Sequence, residues 1–322
     1  MKTIILTLLA AASMAQAGLL ETVWVRRGAV DTDLYFFSTG HNSAWQAPFT
    51  TGTVNNVTWY NPVGQSTNAF APPIAFFTNA GTYRISCPDW SKVTRLSFYA
   101  GADSTTRNYL TNIANSAVTM ARLKDVTTMS EMFRQQTNLS VNISSWPLEL
   151  FTKNTSMYLA FYDCAGLTGA IPDISTMTKN TSMYAVFYNC RGLTGSIPNI
   201  STMTNNTSMA YTFSYCRGLT GSIPNISTMT NNTSMEYAFY NCTGLTGSTE
   251  TIFYNTNNFT KIKTSANAFA GVVGLTGSGM RWVNAQKAAS YTVGTASTNS
   301  SYRTFYGCTN LSDYATIPAE YK

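Results

Sequence analysis

Residues 181–206 read TSMYAVFYNCRGLTGSIPNISTMTNN, and residues 207–232 read TSMAYTFSYCRGLTGSIPNISTMTNN. Each stretch is 26 residues long, and they differ at five positions, all between 184 and 189 in the first. Related copies begin at Thr155 and Thr233 and reach Gly-Leu-Thr-Gly at the same offset. Self-similarity at this period is the signature of stacked units that cannot bury their apolar face alone. The repeat phenylalanine falls at Phe133, Phe161, Phe187, Phe213, Phe239, Phe269 and Phe305, with spacings of 28, 26, 26, 26, 30 and 36. A regular centre with drifting ends is what an array with atypical caps requires.

Within one copy, Met183, Phe187 and Cys190 are spaced i, i+4, i+7, which predicts one face of a short helix. Thr181 or Ser182 is placed to cap its start, and Gly192 to end the turn by taking positive φ. Leu193-Thr194-Gly195-Ser196-Ile197 then alternates apolar and polar, which predicts a strand stopped by Pro198. Ile200 and Met203 would anchor the loop to the next copy. Stacking such strands about 4.8 Å apart gives a parallel sheet. The expected architecture is therefore α+β: a leucine-rich-repeat-like solenoid of 26-residue units, each a short strand plus a short helix.

Met-x-x-x-Phe-x-x-Cys-x-x-Leu at this period resembles the BspA-type leucine-rich repeat of bacterial surface proteins, with its MSxMFxxCxxL pattern. Thr128-Met129-Ser130-Glu131-Met132-Phe133 follows the start of that pattern, with Gln136 in place of its cysteine. The LTGSIP segment is similar to plant-type leucine-rich repeats. Those units, however, need apolar residues at i+3 and i+5 after the first leucine, whereas here they sit at i+4 and i+7. The BspA-like resemblance covers about residues 126–312 and departs from the family's LxxLDLS strand. It implies adhesion to host proteins, glycans or other cells.

The chain has 322 residues, of which 44% are apolar and only 11% charged. That is too apolar for a disordered chain, and far below the ~25% charge of average domains. The net charge of +6 comes from scattered residues, without the basic cluster that nucleic-acid binders use. With His41 the lone histidine, histidine-based metal cages and His-centred catalysis are nearly excluded. Met1-Lys2, the apolar run to Ala12 and Ala15-Gln16-Ala17 read as a signal peptide of residues 1–17, with cleavage before Gly18. That run falls short of the ~20 residues that span a bilayer, so a secreted or cell-surface protein is expected, without membrane insertion after cleavage. Residues 18–120 are rich in aromatic and β-branched residues between turn formers, as in Tyr35-Phe36-Phe37, Val54–Tyr60, Ile74–Phe77 and Gly81–Ser86. They predict an N-terminal β-sandwich. Val57-Thr58-Trp59-Tyr60-Asn61 and Ala80-Gly81-Thr82-Tyr83-Arg84-Ile85 are similar to the skeleton of PKD-like domains, without its acidic turn. Residues 121–322 would be the BspA-like array with a C-terminal cap.

Cys164, Cys190, Cys216 and Cys242 recur with the repeat. Bridging requires Cα atoms within about 7 Å, and packed helices lie roughly 8–10 Å apart. The favoured reading is a ladder of buried free thiols, with Cys87 and Cys308 outside it. Asp31 and Asp33 read as loop residues rather than cation ligands. Acidic residues are too sparse for a placed acid–base pair, and no phosphate loop, Ser-His-Asp set or zinc spacing is present. No enzyme, cofactor or metal is expected.

The informative positions are those where near-identical copies disagree. Phe is fixed while its neighbours change but keep a tyrosine. The expected ligand-binding stripe is Tyr158, Tyr162, Tyr184, Tyr188, Asn189, Arg191, Tyr211, Tyr215, Arg217, Tyr237, Tyr240 and Asn241. Two readings stand side by side: an exposed stripe for stacking on sugars or anchoring a protein, or tyrosines that merely pack along a ridge. The expected function is an exported, non-enzymatic binding protein whose partner is an extracellular protein or glycan. The alternatives are a structural or appendage module with the array as spacer, and, less favoured, a carbohydrate-active enzyme on a solenoid.

Overall fold

Alternating burial builds the first layer. In the computed structural model, which describes residues 33–38, 57–67, 79–99, 109–255, 261–288 and 302–322, strand β1 (Leu34–Ser38) buries Leu34, Phe36 and Ser38 on one face. It pairs antiparallel with β4 (Gly81–Ser86), setting Phe36 opposite Tyr83 and Leu34 opposite Ile85. With β2 (Thr58–Tyr60), β3 (Ser66–Thr67) and β5 (Leu110–Ile113) they form one antiparallel sheet in the order β3-β2-β4-β1-β5. Phe36 stacks on Tyr83 at 5.6 Å and meets Trp59 edge-on at 6.1 Å. A sandwich needs two sheets, and among the described residues before 120 there is this single sheet. Residues 1–17, read as a signal peptide, and Asp31, His41 and Ile74–Phe77 lie outside the described residues.

Helix α1 (Ser116–Arg122), with Met120 buried, leads from the sheet into the repeats. Each repeat contributes one rung. Its Leu-Thr-Gly segment supplies a strand much shorter than the five residues expected: β6 (Gly169–Ala170) and β7 (Leu193–Thr194) pair in parallel. Further along, β8 (Gly221–Ser222), β9 (Leu245–Ser248) and β10 (Gly274–Thr276) form a second parallel sheet. Leu193 is buried beside exposed Thr194, as the alternation requires. Gly195, at φ +72°, still bridges in parallel to Leu219 of the next rung, its carbonyl accepting from the Thr220 amide at 2.8 Å.

The predicted helix at Met183–Cys190 does not form. The amides of Met183, Ala185, Phe187 and Asn189 instead donate to the carbonyls of Ser208, Ala210, Thr212 and Ser214 in the next rung, at 2.8–3.0 Å. The intervening amides of Val186, Tyr188 and Cys190 donate three residues back, to Met183, Ala185 and Phe187. Ala185 and Asn189 sit at φ +50° and +59°, so the segment is two consecutive four-residue turns. Their counterparts repeat the geometry, from Glu131 and Gln135 through Leu159 and Asp163 to Arg303 and Gly307. An α-helix would satisfy its amides internally. Here half of them are turned sideways and bond rung to rung, which is how backbone groups inside the stack are satisfied.

Gly192 also works differently from expectation. It has no positive φ; a Cβ there would overlap the carbonyl oxygen of Leu167, and one at Gly218 that of Leu193. The glycine is required by close approach of the neighbouring rung.

The side chains of the rungs make a continuous core. Eight phenylalanine rings stack in file, Phe98, Phe133, Phe161, Phe187, Phe213, Phe239, Phe269 and Phe305, with centroids 5.3–5.8 Å apart and planes within 20°. Phe98 meets Phe36 edge-on at 5.3 Å, joining this file to the sheet within one compact unit, Thr32–Lys322. At the other end the last rung is closed off. The amides of Arg303 and Phe305 donate to the carbonyls of Glu320 and Tyr321, and α3 (Met280–Ala288) buries Trp282 and Val283 alongside.

Candidate functional site

The fixed residues of the repeat are core. Met183, Phe187, Cys190 and Leu193 are fully buried, as are their counterparts. All six cysteines are free and buried. The thiols of Cys164, Cys190, Cys216 and Cys242 donate to the carbonyls of Phe133, Phe161, Phe187 and Phe213, one rung back, at 2.8–3.1 Å. Cys308, expected outside this ladder, belongs to it and donates to Phe269 at 3.0 Å. Gln136, in the cysteine position of an earlier rung, does the same through Nε2 to the carbonyl of Phe98 at 3.0 Å. Burial raises these thiols far above the ordinary range, Cys242 and Cys308 to about 12. They are structural donors rather than nucleophiles.

The variable residues come to the surface together. Backbone pairing places Tyr158, Tyr184, Ala210, Glu236, Ala266 and Tyr302 in one column, and Tyr162, Tyr188, Ser214, Tyr240, Ala270 and Tyr306 in a second. In the rung of Phe213 both column positions hold small buried residues, Ala210 and Ser214. That rung's tyrosines come instead from the positive-φ positions, Tyr211 at +59° and Tyr215 at +62°. The stripe is therefore unbroken: Tyr158 stacks on Tyr184 at 5.3 Å, Tyr162 on Tyr188 at 4.7 Å, and Tyr211 on Tyr237 at 4.9 Å. Edge-on contacts join Tyr184 and Tyr188 to Tyr211, and Tyr188 and Tyr240 to Tyr215. Tyr158 is 41% exposed and the other seven are half-buried. Both readings of the tyrosines thus hold in part: they pack on one another, and as a group they face water.

Most ring faces in the stripe are covered by neighbouring rings, so what it offers outward is largely ring edges and hydroxyls. Burial, helped by nearby phenols and carboxylates, raises the hydroxyls of Tyr162, Tyr184, Tyr188, Tyr211 and Tyr240. They remain neutral donors across the physiological range. Asn189 lies beside them: its Nδ2 donates to Asp163 Oδ1 at 2.5 Å, and its Oδ1 accepts from Arg191 Nε at 2.6 Å. The Arg217 guanidinium lies 5.8 Å from the Tyr215 ring centroid. Asn241 holds the same positive-φ turn position as Asn189, two rungs on.

Residues not anticipated extend the stripe. Arg134 lies over Tyr99 at 4.4 Å and Tyr162 at 5.9 Å, and its position directly after Phe133 matches Tyr162 and Tyr188. Glu236 accepts from the Tyr211 hydroxyl at 3.5 Å. Arg303 lies over Tyr302 and Tyr306 in the last rung. Asp33, one of the two carboxylates considered as a cation ligand, is paired with Arg84 at 2.5 Å. No three His, Cys, Asp or Glu side chains converge among the described residues, and no described helix is long and apolar enough to cross a membrane.

A family model described as "Mycoplasma protein of unknown function, DUF285" matches residues 103–204 and 155–282, together more than half of the chain. No curated protein and no solved structure matches.

Proposed function

The chain belongs to the DUF285 family, and from that premise we propose that it is an exported, non-enzymatic binding protein that uses its tyrosine stripe to adhere to an extracellular partner. In this reading the repeats are a BspA-type solenoid, the front sheet is part of a PKD-like β-sandwich, and residues 1–17 are a cleaved leader. The observation that carries the reading is the continuity of the stripe through the rung of Phe213. There the outward column positions are Ala210 and Ser214, yet two tyrosines still reach the surface from positive-φ positions. Placing a bulky residue at positive φ costs roughly 1–2 kcal/mol. The scaffold imposes this turn geometry in every rung, so what distinguishes the rung of Phe213 is the choice of tyrosine at both turn positions, which keeps the surface aromatic where Ala210 and Ser214 hold the columns. Tyrosine is also a residue that binding surfaces favour, combining apolar area with a hydroxyl donor.

The closed last rung weighs against the array acting as a self-assembling spacer. Its outward amides at Arg303 and Phe305 are already taken by Glu320 and Tyr321, so a second copy cannot extend the ladder through them. The purified chain should bind members of a panel of glycans and matrix proteins, and Tyr162→Ala with Tyr188→Ala should weaken that binding without lowering its melting temperature by more than a few degrees. A chain that binds nothing on the panel but self-associates by light scattering would support the spacer instead. Release of reducing sugars from polysaccharides would make it an enzyme.

A further inference from the structure

Two arginines occupy the position after the ladder cysteine, Arg191 and Arg217, in consecutive rungs; the rungs on either side have Ala165 and Thr243 there. Both are exposed. Three other described guanidiniums pair with carboxylates, Arg84 with Asp33 and Arg95 and Arg134 with Glu131, and Arg281 donates to the carbonyls of Phe253 and Tyr254. Arg191 and Arg217 have no carboxylate partner among the described residues. Arg191 uses only Nε, toward the Asn189 side chain, and Arg217 rests against the Tyr215 ring. The two exposed residues hold equivalent positions on neighbouring rungs, and like charges brought near one another repel unless a shared anion lies between them.

Tyr215, like Tyr240, has only edge-on ring neighbours in the stripe. It stands at 82° to Tyr188 and 80° to Tyr240, so neither neighbour is stacked on its ring. Asn189 on the preceding rung and Asn241 on the following one hold the equivalent turn position. An amide both donates and accepts, as sugar hydroxyls require, and a guanidinium fork matches the planar geometry of a carboxylate and the oxygens of a sulfate. Resting on the reading of the stripe as a binding face, we propose that Arg191, Arg217 and Tyr215, flanked by Asn189 and Asn241, form the seat for an acidic glycan. The arginines hold its sulfate or carboxylate groups, and the tyrosine and amides hold the sugar that carries them.

The test uses the purified chain against heparin as a sulfated chain, hyaluronan as a carboxylated chain, neutral dextran and poly-glutamate. Binding to heparin or hyaluronan and not to dextran is expected, weakening as salt is raised. The double variant Arg191→Gln/Arg217→Gln should lose roughly tenfold or more in affinity, while Lys153→Gln/Lys179→Gln, which removes the same charge elsewhere, should not. Melting temperature should be unchanged in both. Whichever of heparin and hyaluronan binds identifies the anion. Poly-glutamate binding as tightly as either glycan would overturn the proposal in favour of an acidic peptide. Tyrosine-dependent binding of a neutral glycan or a protein that survives the arginine double variant would overturn it and leave the binding-face reading standing. No binding to any ligand, here or on the wider panel, would overturn both.

Discussion

The second and third clear copies, residues 181–206 and 207–232, are a natural experiment: twenty-one identical positions, five different ones, and the same backbone. In the second copy the tyrosines occupy outward positions 184 and 188, and Ala185 and Asn189 take the positive-φ turns. In the third, Tyr211 and Tyr215 take the turns, while Ala210 and Ser214 are buried beneath. The phenylalanine file does not register the change, since Phe187 and Phe213 stack at 5.8 Å and 11°, and the buried exchange of Val186 for Thr212 is absorbed by the Thr212 hydroxyl donating to the carbonyls of Met183 and Met209. The surface does: rings parallel between Tyr162 and Tyr188 become perpendicular between Tyr188 and Tyr215. The rung scaffold and the stripe on it are thus separable, and between these two copies the tyrosines move from the column positions to the turn positions.

That separation predicts large stability effects for shared positions and small ones for variable positions. Phe187→Ala and Phe213→Ala should cost about the same, 3–5 kcal/mol each, measured by urea unfolding; a clear difference between them would show that the cores are not equivalent. Gly218→Ala should cost about 2–3 kcal/mol, because the added Cβ meets the Leu193 carbonyl rather than a yielding side chain. A neutral result would refute the close approach. The shared thiol ladder makes stability depend on alkaline pH. Buried thiols keep their protons when native, whereas unfolded thiols lose them above about pH 8.5. Stability should therefore be flat below that pH and fall above it, toward the raised native values, by up to about 1.4 kcal/mol per pH unit per thiol. A urea midpoint unchanged from pH 8 to 10, or a native thiol reacting with a disulfide reagent at pH 8, would contradict this. Smaller still, Arg303→Gly should stabilise by up to about 1 kcal/mol, because exposed Arg303 sits at φ +52° in the same turn position as Ala185 and Tyr211. In a helix the same change would destabilise by about that amount, so the sign of the measured change separates the two.

That sign marks where the sequence was misleading. Met183 and Phe187 are four apart in a helix and also in two successive four-residue turns, so spacing cannot distinguish them. Asn189 hints at positive φ, but Ala185 gives no such sign. The period, the apolar core, the buried thiols and the short parallel strand at Leu193 were legible because each recurs at a fixed offset. Cys308 was missed because a lengthened final spacing hides its register, and Phe98 because no copy of the repeat surrounds it. The stripe residues could be named from where the copies differ. Their stacking, and the turning of Tyr215 across it, depend on which turn position each ring leaves, and that follows only from the backbone.

The third copy changes the stripe and keeps the rung's turns and its place in the phenylalanine file. Replacing residues 210–215, AYTFSY, by the YAVFYN of the second copy keeps Phe213, exchanges buried Thr212 for valine, and moves the tyrosines from 211 and 215 to 210 and 214. The replaced chain should show a urea midpoint shifted by less than the equivalent of about 1 kcal/mol, together with loss of the acidic-glycan binding proposed for the parent chain. A replaced chain that binds as the parent does would contradict this.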